Sequence, residues 1–244
     1  MVLARDKRFV KKKIEELEKF KIPYIIICGE NMNHPNVKYR FPKGKYDAIN
    51  YSINFIPKDV DIIIFNDVDT RILCIHAMLK HFDREDVGMV YSPELVVRGP
   101  QSLFFKIFNP VRKRIPLAAS GELLMIRRRV LEKVLPLKPC KAEDTHMMFK
   151  VLNLGYKVVQ HNKYCVLTIR TASLLEEEKY KARTVLGIYQ AVSYGSPVYV
   201  KVFYTLLPFI SVILILLGKV GYYWLKGIIK GFVSRLKGDF SGKW

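Results

Sequence analysis

The 244-residue sequence predicts an α/β fold, a mostly parallel sheet flanked by helices, with an apolar C-terminal helix behind it. Three observations predict it. Short apolar runs alternate with stretches of helical period, the pattern of a sheet covered on both faces. One near-continuous apolar run, Val60–Phe65, delivers two carboxylates, Asp67 and Asp69, to its C-terminal end. Strands buried on both faces read as such runs, and ligands in open α/β sheets bind at the strands' carboxyl ends. Beyond Pro197 the composition changes: Val202–Gly218 is 17 residues without a charge.

Taken in order, Phe9–Phe20 reads as an amphipathic helix with Val10, Ile14 and Leu17 on one face, stopped by Pro23. Tyr24–Cys28 and Val37–Phe41 are expected strands. Tyr46–Phe55 is an expected helix after the Pro42-Lys43-Gly44 break. Ile72–Phe82 reads as a helix and Val87–Tyr91 as a strand. Residues 93–118 are expected to be irregular, punctuated by Pro93, Pro100, Pro110 and Pro116. Glu122–Ile126 reads as a strand, Arg128–Val134 as a short helix, and Asp144–Leu154 as a helix stopped by Gly155. Tyr156–Val159 and Tyr164–Ile169 are expected strands, and Glu176–Val192 a helix. This divides the chain into a domain over 1–197 and a membrane-associating tail over 198–244.

Lysine and arginine outnumber the acids 41 to 22, giving +19. Acidic partners follow: phosphorylated ligands, anionic lipid or nucleic acid. The tail holds +6 of this charge and the domain +13. Nothing resembles a basic recognition helix or an aromatic ribonucleoprotein motif, so nucleic acid is not the expected partner. The four cysteines lack paired short spacing. Neither a zinc site nor a disulfide framework is expected, and a reducing compartment fits. The charged N-terminus lacks the long apolar core of a signal peptide.

A 17-residue helix covers about 25 Å, the lower limit for crossing a bilayer. Lys201 and Lys219 flank it and snorkelling would lengthen it. Tyr222, Tyr223 and Trp224 then read as an interfacial belt. Basic residues stand on both sides of the apolar run. A single span and a re-entrant or in-plane arrangement are both open.

Two carboxylates at a strand end suit a hard divalent cation, Mg²⁺ or Mn²⁺, whose shell substrate phosphates complete. Four further features flank Asp67 and Asp69: Gly44-Lys45 with Ala48 and Asn50 upstream, Ser120-Gly121-Glu122, Glu143-Asp144-Thr145-His146 opening a helix, and Lys181 with Arg183 on a late helix. Each has an ordinary alternative. Glu143-Asp144 also fits helix capping. Lys45 also fits a solvated loop, and Arg183 a helix surface. His146 reads as a helix-surface residue before it reads as a third metal ligand.

In this order, over about residues 5–190, the features resemble the family 2 glycosyltransferases, whose fold is GT-A. The resemblance implies inverting, non-processive sugar transfer from a nucleotide-sugar, with Mg²⁺ or Mn²⁺ bridging the acidic pair and the diphosphate. It implies that Asp67 faces the nucleotide-sugar and Asp69 the metal. Asp144, beside Glu143, becomes the general base, and Lys45 a nucleotide contact. Arg183 would neutralise the diphosphate. Two departures touch the base pocket. Only Met1–Arg5 precede the first helix, so the first strand is a stub or a truncated start, with Asp6 near the position where the family's first strand ends, and the second strand ends Cys28-Gly29-Glu30, where Glu30 would substitute. The Gln-x-x-Arg-Trp motif of processive synthases is absent.

The acceptor side is expected in residues 98–118 and the turn at Ser120 and Gly121. Leu103–Phe108 followed by Arg112, Lys113 and Arg114 mixes apolar anchors with cations, suited to a membrane interface and a lipid phosphate; a saccharide acceptor is the other choice. The whole predicts a glycosyltransferase at the cytoplasmic face of the cell membrane. The alternative is a membrane-tethered nucleotide- or sugar-binding protein that kept the fold and lost turnover.

Overall fold

A computed structural model describes residues 1–96, 110–169, 171–239 and 242. Its centre is a seven-stranded sheet in the order β3-β2-β1-β4-β8-β6-β9. The strands are β1 (Val2–Ala4), β2 (Ile26–Cys28), β3 (Val37–Tyr39), β4 (Ile62–Asp67), β6 (Val87–Tyr91), β8 (Leu123–Arg127) and β9 (Lys157–Gln160). All run parallel except β8, which is antiparallel to both β4 and β6. The short β1 is an interior strand: it pairs with β2 on one side and with β4 on the other. A smaller sheet joins β5 (Arg71–Ile72), β10 (Val166–Thr168) and β7 (Glu94–Val96).

The helices are α1 (Val10–Phe20), α2 (Lys45–Ser52), α3 (His76–Leu79), α4 (Arg128–Val134), α5 (Glu143–Asn153), α6 (Leu174–Tyr194), α7 (Val198–Ile210) and α8 (Gly218–Leu236). The Ser173 side chain caps α6 by accepting from the Glu176 amide. The main core lies between the sheet and α5–α6, around Phe65, Tyr91, Leu124, Ile126, Met148 and Phe149.

Three readings are corrected. The stretch expected as a helix over Ile72–Phe82 opens as strand β5 and holds only α3, followed by a 3-10 turn over Lys80–Asp83. Pairing to β10 decides it, because Ile72 sits opposite Val166 and the Leu73 amide bonds the Cys165 carbonyl. The stretch expected to be irregular contains β7, which pairs with β10, and residues 110–114 are helical; residues 97–109 lie outside the described residues. Third, Cys74 and Cys165 form a disulfide across the small sheet, 91 residues apart in sequence. Strand pairing, not sequence spacing, brings them together. The disulfide also removes the argument for a reducing compartment.

The apolar tail is longer than expected and folds on itself. One run, Val198–Leu236, is long and apolar enough to cross a membrane by length and composition. Within it, α7 tightens into a 3-10 segment over Ser211–Leu217, and Gly218, at φ +68°, turns the chain into α8. Pro208 lies inside α7 and has no amide hydrogen for the Tyr204 carbonyl. The Tyr189 hydroxyl donates to that carbonyl instead, at 2.7 Å.

Helix α8 then runs parallel to α6. A Cβ at Gly227 would lie 2.8 Å from the Glu178 carbonyl, and one at Gly231 2.7 Å from that of Ala182. The two glycines, four residues apart on one face, let the backbones approach closely. Replacing Gly231 with Leu is therefore expected to destabilise the protein by roughly 1–3 kcal/mol through overpacking. Urea unfolding would detect it, with the half-exposed Ile229→Leu change, which is expected to be neutral, as the reference.

Candidate active site

The site forms at the carboxyl ends of β4 and β1. Strand β4 ends at Asp67, so its apolar residues are spent in the core and its carboxylate emerges at the surface. Gly44, at φ +155°, precedes α2 in a backbone conformation that suits glycine. It aims Lys45, the first residue of α2, back toward β4. The Lys45 ammonium donates to both oxygens of Asp67, at 2.6 and 2.8 Å, and lies 3.9 Å from Glu143 Oε1. Burial works against its charge, but Asp67, Glu143 and Asp144 outweigh it and hold the ammonium above the ordinary lysine range.

Glu143 and Asp144 open α5. Burial pushes Glu143 up to about 7, with Lys45 pulling it down and Asp144 adding to the rise. Burial raises Asp144 too, against the hydrogen bond from its neighbour's amide. That bond, Thr145 N–H to Oδ1 at 2.7 Å, fixes one oxygen. Asp144 also packs against Gly121: a Cβ there would meet Oδ2 at 3.1 Å. Between these groups lies a shallow cleft, lined by Asp67, Gly121, Glu143, Asp144 and the apolar Phe65 and Met147. Ser120, just before Gly121, is buried, and its hydroxyl has no hydrogen-bond partner among the described residues.

A second, small hollow lies beyond β1 and β2, lined by Cys28, Gly29, Arg40, Phe41, Pro42 and Gly44 among others. Asp6 and Glu30 follow the strands that border it. Asp6 is bound by Arg8 at 2.8 Å and held down to about 2 by that hydrogen bond, and Glu30 is exposed. Sequence reasoning missed Arg40, which pairs with Asp47 at 2.7 Å and stacks 4.8 Å from the Tyr51 ring. Its position before the Pro-Lys-Gly break was the available signal.

Lys13 was missed as well. It is 2% exposed, although it lies in α1 among other lysines. Its ammonium bonds Asn66 Oδ1 at 2.8 Å, the Thr70 carbonyl at 2.5 Å and Glu16 at 2.9 Å. Asn66 in turn bonds Thr70 Oγ1 and the Glu122 carbonyl. This network pins both ends of the turn that carries Asp67 and Asp69.

Other expected residues lie elsewhere. Arg183 is exposed on α6, and Gly187 of that helix packs closely against the Lys141–Ala142 link before α5. His146 is not on the helix surface: it is 2% exposed against the Tyr194 ring, and burial lowers it to about 4. Arg112 reaches the Ala118 carbonyl at 3.4 Å and lies 5.9 Å from the Tyr91 ring, while Arg114 is exposed.

Asp69 is exposed, two residues beyond Asp67 in the turn after β4. Among the described residues no three His, Cys, Asp or Glu side chains converge as a metal cage. Mg²⁺ is commonly held by one or two carboxylates with phosphates supplying further ligands. Asp69 with Asp67 fits that donor set, since a carboxylate paired to a lysine keeps lone pairs on both oxygens.

No family model and no curated protein matches the sequence. Solved structures do. The mannosyltransferase PcManGT from Pyrobaculum calidifontis, in complex with GDP-Man and Mn²⁺, aligns with 99% of this chain and 76% of its own, at TM-score 0.62 and 14% identity. A mycobacterial protein aligns with 80% of this chain and 74% of its own, at TM-score 0.54 and 16% identity. The likeness establishes the fold: a GT-A-like α/β domain with an apolar C-terminal helix.

The acidic pair carries a pH signature. Glu143 is raised above its ordinary value near 4.5 to about 7, so the folded protein binds more protons across that interval. Its contribution to stability is full below about 4.5 and is lost as pH rises through about 7. Asp144 adds in the same direction. Urea unfolding of the metal-free protein between pH 5 and 8 is expected to show this decline, and Glu143→Gln to flatten it.

Proposed function

We propose that the protein is an inverting, metal-dependent glycosyltransferase that moves a sugar from a nucleotide-sugar to a lipid-linked or saccharide acceptor at a membrane. One observation carries the reading. In a GT-A-like fold, Lys45, Asp67, Glu143 and Asp144 meet around one cleft at the end of β4.

Each group has a role that its surroundings support. The hollow beside Arg40 and Gly44 takes the base of the donor. Lys45 and the Asp67–Asp69 turn face its diphosphate, and Lys13 holds that turn rigid. Mg²⁺ or Mn²⁺, held by Asp69 and Asp67, would supply Lewis-acid stabilisation of the leaving diphosphate. Asp144, with Oδ1 fixed by the Thr145 amide, turns Oδ2 toward the acceptor. The acceptor oxygen attacks the anomeric carbon as the bond to the diphosphate breaks, the electron pair leaves with the phosphate, and the hydroxyl proton passes to Asp144. Burial raises the Asp144 pKa, which makes it a better base than a solvated aspartate.

The exposed residues Val198, Val202, Leu206 and Phe209 along α7, and Ile213 and Leu216 beyond it, support docking to a membrane. The return of α8 along α6 supports the re-entrant or in-plane form over a single span. The flanking lysines suit anionic lipid, and the cytoplasmic face of the cell membrane follows from the basic character of both domain and tail. A second reading, a tethered nucleotide- or sugar-binding protein without turnover, is favoured by one observation: Lys45 already claims both Asp67 oxygens.

A thermal-shift screen with GDP-, UDP- and dTDP-sugars, with and without Mn²⁺, separates the two. GDP-mannose is the first probe, because the PcManGT structure contains it. A cognate donor at about a hundred times Kd is expected to raise Tm by roughly 5 °C or more, with the metal-dependent part lost in Asp69→Ala. No response to any nucleotide sinks the enzyme, and stabilisation without hydrolysis or transfer selects the binding protein. Asp144→Asn is expected to lower transfer to a hydroxyl acceptor about 10²–10⁴-fold. A phosphate acceptor is already anionic, so its loss is expected to be smaller. An equal loss on both removes the distinction.

A further inference from the structure

Three successive carbonyls before the Ser120–Gly121 turn are each taken by a side chain from another part of the chain. The Tyr199 hydroxyl donates to Pro116 at 3.2 Å, the Tyr204 hydroxyl to Leu117 at 3.1 Å, and Arg112 to Ala118 at 3.4 Å. Two of the three donors sit on α7. That helix is two-sided. Val200, Tyr204 and Pro208, spaced by four, are buried against the domain, while Val198, Val202, Leu206 and Phe209 face outward. Its register is fixed from below by the Tyr189 hydroxyl on the Tyr204 carbonyl that Pro208 leaves open.

We propose that Tyr199 and Tyr204 are positioning residues for the acceptor. They hold the carbonyls of Pro116 and Leu117; beyond Ala118, Ala119 and Ser120 are themselves buried and lead directly to Gly121. Gly121 is the residue against which Asp144 Oδ2 rests. The outward face of α7 and the wall beside Asp144 therefore move as one piece. A helix that docks on a lipid surface sets the height and angle at which an acceptor meets Asp144. The link to acceptor chemistry rests on the transferase reading; the mechanical link between α7 and the segment does not.

The test separates those two parts. Hydrogen exchange on the full chain compares wild type with Tyr199→Phe, Tyr204→Phe and the double variant, each of which keeps the ring and removes a hydroxyl. Exchange at the amides of residues 117–121 is expected to quicken about tenfold in the double variant, with those of β8 unchanged. Should the double variant fail to fold, Tyr199→Phe alone serves, because that side chain is half-exposed and its loss touches only the segment. Unchanged exchange over 117–121 overturns the proposal whatever the protein's activity.

The kinetic arm uses whichever nucleotide-sugar stabilises the protein, with undecaprenyl phosphate in phosphatidylglycerol vesicles. The acceptor KM is expected to rise about tenfold, while the donor KM and donor hydrolysis by water stay within twofold. A uniform fall in all of these overturns the positioning role, since a general loss of structure produces that pattern. Wild-type protein that neither binds nor hydrolyses any nucleotide-sugar overturns the transferase reading and the acceptor role with it; the exchange result still decides the mechanical link.

Discussion

One partly buried cation, Lys45, ties the carboxylates of the candidate site together. Lys45 stands between Asp67 on β4 and Glu143 on α5. Without it, Asp67, Glu143 and Asp144 would confront one another, and like charges drive each other's protonation. Its position has several prerequisites. Gly44 must turn the backbone so that α2 starts with Lys45 facing inward, β4 must end at Asp67, and α5 must begin at Glu143. The last depends on Gly187, where a Cβ would collide with the backbone just before α5, only 2.6 Å away. The fold positions three elements around one ammonium group, and the chemistry follows from what that ammonium leaves available.

Much of this was legible in the sequence. Apolar runs marked the central strands because strands buried on both faces have little room for polar residues. Asp67 and Asp69 stood out at a strand end and Glu143 and Asp144 at a helix start, and the resemblance to the family 2 glycosyltransferases joined Lys45 to them. The structure brings Lys45, Asp67, Glu143 and Asp144 together and leaves Asp69 exposed. What was not legible is mostly long-range. Lys13 looks like one more surface lysine in a Lys-Lys-Lys run; only tertiary packing shows that it crosses to Asn66 and Thr70. Cys74 and Cys165 meet because β5 and β10 pair, and local sequence says nothing of that. The 72–82 stretch has helical periodicity, yet sheet pairing at its start overrides propensity.

The tail illustrates a different limit. Hydropathy marks an apolar run and cannot tell a span from a hairpin. The deciding residues are small: Gly218 reverses the chain, and Gly227 and Gly231 let α8 settle on α6. A reading based on hydrophobicity alone gives most weight to Ile210–Leu217, whereas the geometry is set by three glycines and a proline that contribute almost nothing to it.

The parallel packing of α6 and α8 has a practical consequence. Two parallel helices adjacent in sequence require a return segment as long as themselves, and α7 with its 3-10 extension is that return. Cutting the chain near residue 197 would therefore remove more than an apolar tail. It would strip α6 of the helix that covers Val185 and Leu186 and take away the tyrosines gripping 116 and 117. A more polar surface is better sought by exchanging outward residues such as Phe209, Ile213 and Leu216 for polar ones, leaving the backbone path whole.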